Sequence, residues 1–389
     1  MDTNKFELLI RTKDKQAILD FIKNNKEFHP FTNQILVLGN YHTDVNLNML
    51  TDWFIYKSQQ TSPQNVVSKF KCFLSQDDID GFEIVAIVGL IINSPIELNN
   101  GIKLIPFDLL PDSTTKAMYN PQSIKDPVFI QHCRFLNNLG VPPVLDQANT
   151  PFKPPSAALL IPSKSSPKFT NRNSNHLKYF NSKQEDLLNL CQILTLIGPC
   201  APSPVATWWE PDENVPYSRI FGGGAGGYIS DVINHTSYQL ELNEEAELIK
   251  ICNNYMKLST DIKSKLKIPL ERLNRSIRRN DLIDKFIELG IGMEAVFLDD
   301  NLSKELSYRL FLRAARFLEA EIESREKIKK NIKLFYDRRS KAVHTGNISE
   351  KTLVENKDII DFIIMYLCKA IKTIIDNQKW PKWNEIELS

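Results

Sequence analysis

The sequence changes character near residue 240, and this change constrains the fold more than any other feature. Most of the Pro and Gly residues occur before it, where apolar runs are short and turn signals are frequent. After it, helical patterns follow one another with few interruptions. Inside a helix, Gly costs about 1 kcal/mol and Pro about 3 kcal/mol relative to Ala. We therefore predict two domains, residues 1–240 and residues 241–389.

The first part has the pattern of a mixed α/β domain. Runs rich in β-branched residues, "NQILVLGNYH" and "FEIVAIVGLIIN", are bounded by Asn and Gly and predict strands, as do the shorter "GIKLIPF" and "AALLIP". Apolar residues spaced three and four apart in "KDKQAILDFIKNN" and "KQEDLLNLCQILTLIG" predict helices. Residues 140–176, rich in Pro, Ser and Asn, predict a surface connector.

The second part predicts helices joined by short loops, which is typical of an up-down helical bundle. The predicted helices are residues 243–259, 269–280, 281–298, 303–320, 324–344 and 353–376. Pro269 is expected in the first turn of its helix, where a missing N–H is tolerated. The fold class is therefore α+β, with an N-terminal mixed α/β domain followed by a C-terminal all-α bundle.

Composition excludes a strong overall attraction to nucleic acid or membrane, because the net charge is +1. The longest uncharged apolar run, residues 84–92, is about half of the ~20 residues that a membrane span needs. The N-terminus lacks the apolar segment of a signal peptide, so we expect a cytoplasmic protein that contacts no membrane. The six cysteines are scattered without a CxxC pair. We expect neither a metal site nor a cofactor.

Two conspicuous motifs favour structural interpretations. "FGGGAGGY", residues 221–228, lacks the Lys and Ser/Thr that complete a phosphate-binding loop, so a flexible joint or a close-packed turn is favoured. "TWWEPDE" places Trp208 beside Trp209. Adjacent aromatic rings could stack on a base, but packing in the core or between domains is favoured.

Two helical segments are locally basic. Residues 263–279 contain seven Lys or Arg against one Glu, and residues 325–341 contain eight against two acids. Such clustering suits a phosphate backbone, but basic density that stands alone favours a solvated helix face. The candidate RNA-binding residues are Arg275, Arg278, Arg279, Lys330 and Lys333.

The second basic segment ends in "YDRRSKAVHTGN", residues 336–347. At about 100° per residue, the side chains of Asp337, Ser340, Lys341 and His344 share one helix stripe. Arg339 lies about 140° from His344 on the same helix. One regular helix therefore cannot aim both at one phosphate. The last turn could unwind, the Arg side chain could swing round, or a second copy of the helix could complete the site.

Arg and His can together cleave RNA without a metal. A His with a pKa near ~6.5 can take a proton from a ribose 2′-OH or give one to a leaving 5′-oxygen. An Arg can hold the phosphate and stabilise the charge that develops on it. From residue chemistry alone, a solvated helix end explains the same residues.

The stretch "IKLFYDRRSKAVHTG" resembles the motif of the HEPN superfamily, in which an Arg is followed by four to six residues and a His. The preceding "IGMEAVFL" and "ELSYRLFLRAARFL" are similar to the Apea-like HEPN branch, and the resemblance covers roughly residues 245–385. It implies a small helical bundle that dimerises with two Arg/His motifs facing each other. Active members are metal-independent endoribonucleases, often toxins or effectors of bacterial antiviral defence.

The resemblance assigns roles to individual positions. Arg339 and His344 match the fixed residues of the motif, and Ser340 matches a variable polar position that is often Asn, Asp or His. Arg338 could assist Arg339, and Asp337 and Lys341 flank the motif.

Three hypotheses for function remain open. The first is an endoribonuclease of antiviral defence that acts as a homodimer, with a phage-derived trigger sensed by residues 1–240. The second is a non-catalytic HEPN module that binds RNA, a nucleotide or a protein partner. The third is a helical dimerisation domain whose basic face is only solvated.

Overall fold

The computed structural model has the α+β fold that the sequence predicts, with mixed helices and strands in the N-terminal part and helices in the C-terminal part. It describes residues 2–29, 34–39, 41–45, 47–125, 154–166, 168–170, 183–216, 218, 226–227, 237–298, 305–346 and 353–388. The chain forms two compact units. The first comprises Met1–Ala86, Gly101–Leu187 and Val205–Tyr228, and the second comprises Ile87–Asn100, Leu188–Pro204 and Ile229–Ser389.

Four helices near the N-terminus pack around an aromatic core in the first unit. They are α1 (Thr3–Thr12), α2 (Lys15–Asn24), α3 (Leu47–Gln60) and α4 (Pro63–Ser75), and a short α5 (Thr114–Tyr119) follows later. The rings of Phe6, Phe28, Phe54 and Phe70 are fully buried against one another. Side-chain caps begin several of these helices, as where Asp14 accepts a hydrogen bond from the Ala17 N–H. Of these five helices, the sequence analysis predicted only α2.

The strands of the first unit form a small and a larger sheet. In the small sheet, β1 (Ile35–Leu38) lies between β2 (Tyr41–Asp44) and β8 (Phe169–Thr170), and both pairs are antiparallel. The larger sheet runs in the order β10 (Gly226–Gly227), β9 (Ser203–Pro211), β3 (Ile79–Val88), β7 (Ala157–Ser165) and β6 (Lys103–Pro106). The single strand predicted over residues 33–42 is two strands, because Gly39 turns the chain at φ +64°.

Sequence-distant segments complete the second unit, so its boundary differs from the predicted division at residue 240. Strand β4 (Leu90–Ile91) pairs in parallel with β11 (Tyr238–Gln239), and a further short strand β5 (Ile96–Glu97) follows β4. The side-chain amide of Asn274 donates to the hydroxyl of Thr195 at 2.9 Å and to the carbonyl of Pro202 at 2.8 Å. The Asn274 hydrogen bonds join residues 188–204 to the helix that carries Asn274, and the strand pairing joins residues 87–100 to Tyr238 and Gln239. Composition along the chain cannot reveal such pairing.

The helices of the C-terminal part are α7 (Glu245–Met256), α8 (Thr260–Arg278), α9 (Leu282–Phe297), α10 (Leu306–Leu318), α11 (Ile322–Thr345), α12 (Leu353–Asn377) and α13 (Trp383–Leu388), preceded by α6 (Gln184–Ile193). Helix α9 packs against α8, α11 and α12. The prediction for Pro269 was wrong. Helix α8 begins nine residues earlier, where Ser259 caps it by accepting from the Ile262 N–H, and Pro269 lies inside it. Among the helices that the structure describes, none combines the length and apolarity of a membrane span.

Candidate functional site

Helix α11 carries the Arg/His motif and remains helical to its end. Its last residue is Thr345, and Gly346 follows in the left-handed conformation at φ 62°. The Gly346 N–H donates to the carbonyl of Ala342 at 2.9 Å, which closes the final turn. The last turn therefore does not unwind, and Arg339 and His344 keep the divergent directions that a regular helix imposes.

Arg339 points towards α9 and pairs there with Glu294. Its Nη1 donates to Glu294 Oε1 at 3.0 Å, and the hydroxyl of Tyr336 donates to the same oxygen at 3.1 Å. The guanidinium carbon also lies 5.6 Å from the centre of the Tyr336 ring, a distance typical of a cation–π contact. The Arg339 side chain is 24% exposed. One carboxylate and one ring thus fix its orientation.

A glycine on α9 makes room for this arginine. Gly290 lies one helical turn before Glu294, and a Cβ at Gly290 would approach the Arg339 Cδ to 2.6 Å. Within the described residues, Arg339 Nε is buried without a hydrogen-bond partner. Its Nη2 makes no hydrogen bond to the residues that the structure describes. That nitrogen can therefore donate to an incoming oxyanion while Nη1 stays bound to Glu294.

Tyr336 acts as a hydrogen-bond donor in this cluster. Burial, together with the nearby Glu294 carboxylate, raises the pKa of Tyr336 well above its usual range, and Arg339 opposes that shift. The phenol therefore stays protonated at any physiological pH and donates to Glu294.

Arg338 has a different environment from its neighbour. Its Nη2 donates to Glu355 at 2.9 Å and its Nη1 donates to Asn356, both in the first turns of α12. The Arg338 side chain is 17% exposed. It therefore joins α11 to α12, and the structure does not bring its guanidinium to Arg339 or His344.

The predicted stripe is exposed along its whole length. Asp337, Ser340, Lys341 and His344 are all exposed. The His344 side chain makes no hydrogen bond or ion pair with any residue that the structure describes. The imidazole is therefore available for proton transfer or for binding. No side chain in the described part of the same chain fixes its orientation.

The candidate RNA-binding residues divide into two groups. Arg275 is half-buried and pairs with Glu271 at 2.5 Å, and Arg279 pairs with Glu288 at 3.1 Å. Arg278 is also half-buried. Lys330 and Lys333 are exposed on the same face of α11 as the stripe. The first basic segment is therefore partly neutralised by its own Glu271 and by Glu288 of α9, whereas Lys330 and Lys333 of the second present their charge to solvent.

Three residues of this site were missed from the sequence: Gly290, Glu294 and Tyr336. Tyr336 and Arg339 are three apart on a helix, which places them on one face. That spacing was the available signal for their contact. The partner helix and the matching positions on it were not visible from the sequence.

The other motifs have structural positions. Trp208 and Trp209 are buried in β9, which confirms the interpretation as core packing. Of "FGGGAGGY", Gly226 and Gly227 pair with β9, while residues 221–225 and 228 lie outside the described residues. In the predicted connector, residues 157–165 form β7, and 140–153 and 171–176 also lie outside them.

Possible metal ligands do not cluster in the part of the chain that the structure describes, since it contains no group of three or more His, Cys, Asp or Glu that could hold an ion. Burial raises the pKa of the thiols of Cys191, Cys252 and Cys368 to about 12. These cysteines are therefore protonated core residues.

No protein-family model matches this chain, and no curated protein and no solved structure matches it.

Proposed function

We propose that this protein is a metal-independent endoribonuclease of the HEPN type, whose active site combines Arg339 of one copy with His344 of a second copy. The observation that carries the proposal is the division of the two residues between two sides of a regular helix. Arg339 keeps Nη2 available, and His344 is exposed without a described partner. Two copies of α11 related by a two-fold axis would bring one of each together.

The reaction follows from these two groups. His344 takes the proton of a ribose 2′-OH, and the resulting oxygen attacks the adjacent phosphorus. The bond from phosphorus to the 5′-oxygen breaks, and that oxygen takes up a proton. Arg339 stabilises the negative charge that develops on the phosphate oxygens. The products are a 2′,3′-cyclic phosphate and a 5′-hydroxyl end.

The exposed face of α11 supports RNA as the substrate. Lys330, Lys333 and Lys341 share that face with His344, and each is exposed. Phosphate contacts of this kind supply affinity that falls with salt concentration. Asp337 on the same face would repel a phosphate, and Ser340 offers a hydroxyl in place of a larger polar group.

A mixing experiment tests the composite site. Arg339→Ala and His344→Ala proteins are purified, mixed, partly unfolded and refolded together, and assayed for cleavage of a labelled RNA in EDTA. Each variant alone should be inactive. In a mixed dimer, one of the two sites regains both residues, so random pairing should restore about a quarter of the wild-type activity. Wild type taken through the same treatment is the control.

The outcomes separate three cases. Restored activity with cyclic-phosphate ends supports the proposal. No restoration, with an active wild type and demonstrated mixed dimers, means that the site lies within one chain. Full cleavage by His344→Ala removes His344 from the mechanism.

The second candidate is a non-catalytic HEPN module that binds RNA, a nucleotide or a protein partner. The pairing of Arg339 with Glu294 favours it, because a neutralised guanidinium attracts phosphate less strongly. Wild-type protein that binds RNA in a filter assay, yet never cleaves it, would establish this alternative.

The proposed setting is cytoplasmic antiviral defence, with the first unit sensing a phage-derived trigger. Induced expression in bacteria, with and without phage, should slow growth for wild type and leave His344→Ala cells unaffected. Mapping of RNA ends in the same cultures would identify the target. If both proteins arrest growth, the toxicity does not depend on His344.

A further inference from the structure

A cavity of about 750 Å³ lies within the second unit, and its lining includes none of the residues of the proposed nuclease site. Its walls come from α12, from the first turn of α9, from the end of α8 and from residues 196–199. Small-molecule sites in proteins commonly occupy about 300–1,000 Å³. The cavity is therefore large enough for an organic molecule of ordinary metabolite size.

Helix α12 forms the floor of the cavity, which is apolar at Ile364, Met365 and Cys368 and carries charged residues towards both ends. The lining residues from Asp361 to Asp376 recur at intervals of three and four, so they form one continuous face about 22 Å long. Ile364 and Met365 lie about one turn from Asp361 on this face, and Leu196 lines the cavity as well. Met365 is 52% exposed although its thioether is apolar. This floor can cover the apolar body of a ligand.

The end near Asp376 is already neutralised by the protein. Lys372 pairs with Glu247 at 2.6 Å, and Asp376 pairs with Lys250 at 2.8 Å. The asparagine Asn254 donates a further hydrogen bond to Asp376 at 2.9 Å. These groups satisfy one another, so this end offers no charge that a ligand must balance.

The opposite end is different, because the Lys285 ammonium forms no direct hydrogen bond or ion pair with the residues that the structure describes there. Lys285 is half-buried in the lining of the cavity, and its nearest acid there, Asp361, acts on it as a nearby charge and not as a direct ion-pair partner. Burial lowers the pKa of Lys285 below its usual value, Asp361 opposes that shift and Lys357 adds to it. A partly desolvated ammonium without a partner costs free energy, and an anion beside it would recover that cost.

We propose that this cavity binds a small organic anion, with its anionic group on Lys285 and its apolar or flat body on Met365 and Ile364. The proposal is independent of RNA cleavage. Asp361 lies near Lys285, and its carboxylate repels the anion that Lys285 attracts. Removing Lys285 and removing Asp361 should therefore change the affinity in opposite directions.

The test uses the full chain and the fluorescent anion 8-anilinonaphthalene-1-sulfonate as the probe. Lys285→Gln should weaken its binding about tenfold, the value of a charge-assisted hydrogen bond of roughly 1.4 kcal/mol. Asp361→Asn should tighten it about threefold, because a nearby like charge is worth less than a direct contact. Lys379→Gln, which removes an exposed lysine outside the cavity, is the matched control and should leave binding unchanged.

Two further measurements keep the test decisive. Met365→Glu places a carboxylate at an exposed position of the apolar part of the floor and should abolish binding without disturbing the core. It replaces Lys285→Gln if that variant misfolds. Octanoate should displace the probe, and octylamine, of equal length and opposite charge, should not. Equal binding by wild type and Lys285→Gln overturns the proposal, as does a wild type that binds no probe or equal displacement by the two competitors.

Discussion

The two faces of α11 differ in what holds their side chains. On the face towards α9, the side chain of Phe335 is fully buried, and Tyr336 and Arg339 share the carboxylate of Glu294. On the face that carries His344, the side chains of Asp337, Lys341 and His344 are exposed. One helix therefore carries both an ordered polar cluster and a stripe of side chains that solvent surrounds.

Because of this difference, substitutions on one face of α11 should change stability and substitutions on the other should change activity. Changes on the buried face remove contacts that already exist in a single chain, so their effects should appear in the free energy of unfolding. Changes on the exposed face remove no such contact, so their effects should appear only when a substrate or a second copy is present. Four predictions test that separation, ranked by their expected effect on unfolding.

Phe335→Ala should have the largest effect. The ring is fully buried and stacks on Phe286 with centroids 5.2 Å apart. Its loss should lower the free energy of unfolding by about 3–5 kcal/mol, measured by urea denaturation and circular dichroism. Leu334→Ala, at a neighbouring position that is 38% exposed, should cost less than about 1 kcal/mol. Equal effects would mean that the two faces do not differ in packing.

Glu294→Ala should rank second, at about 1–3 kcal/mol, because Arg339 and Tyr336 both lose their acceptor. Glu294→Gln keeps an acceptor oxygen and should recover part of the loss. Glu326→Ala, on an exposed position of α11, is the control and should be nearly neutral. A double-mutant cycle with Tyr336→Phe should show coupling, whereas additive effects would separate the two hydrogen bonds.

Gly346→Ala should rank third. Alanine at φ 62° costs about 1–2 kcal/mol, and the space around this position is open, so no clash adds to that cost. Thermal unfolding should show a small decrease in midpoint. Lys341→Ala, one turn earlier on the exposed face, keeps a helical backbone and should not lower the midpoint.

His344→Ala should have the smallest effect on stability, within about 0.5 kcal/mol of wild type. The same protein should lose RNA cleavage by about 10²–10⁴-fold if His344 transfers the proton. Paired measurements of urea denaturation and cleavage on one preparation test both statements. A large loss of stability would instead assign His344 a structural role that its exposure does not suggest.

The sequence predicted the helices of the C-terminal part well, because their apolar residues recur with a long, regular period. It also predicted the exposed stripe, since helical spacing alone determines which residues share a face. The helices α1, α3 and α4 were missed. Length does not account for this, since α3 and α4 span 14 and 13 residues and the predicted α2 spans 10. Their buried side chains join one core with residues far apart in the sequence, and that core forms only with the tertiary structure.

The polar partners in the site could not be predicted from the sequence. The contact between Glu294 and Arg339 joins positions 45 residues apart on two helices. Which helix faces which, and at what height, depends on how side chains pack between α9 and α11. Pro269 was misplaced for a related reason. A proline in a helical pattern is typical of the first turn. Here Ser259 caps the helix instead, and the helix continues through Pro269.

The second unit is built from three separate chain segments, which affects how it can be truncated and how it can be inherited. Residues 87–100 and 188–204 belong to it, so a fragment beginning at residue 241 would lack two of its own segments. In such a fragment, the amide of Asn274 would lose Thr195 and Pro202, and the paired strands β4 and β11 would both be absent. A recombination event that transferred the Arg/His helices alone would therefore transfer an incomplete core. Gene segments encoding both units are expected to be inherited together.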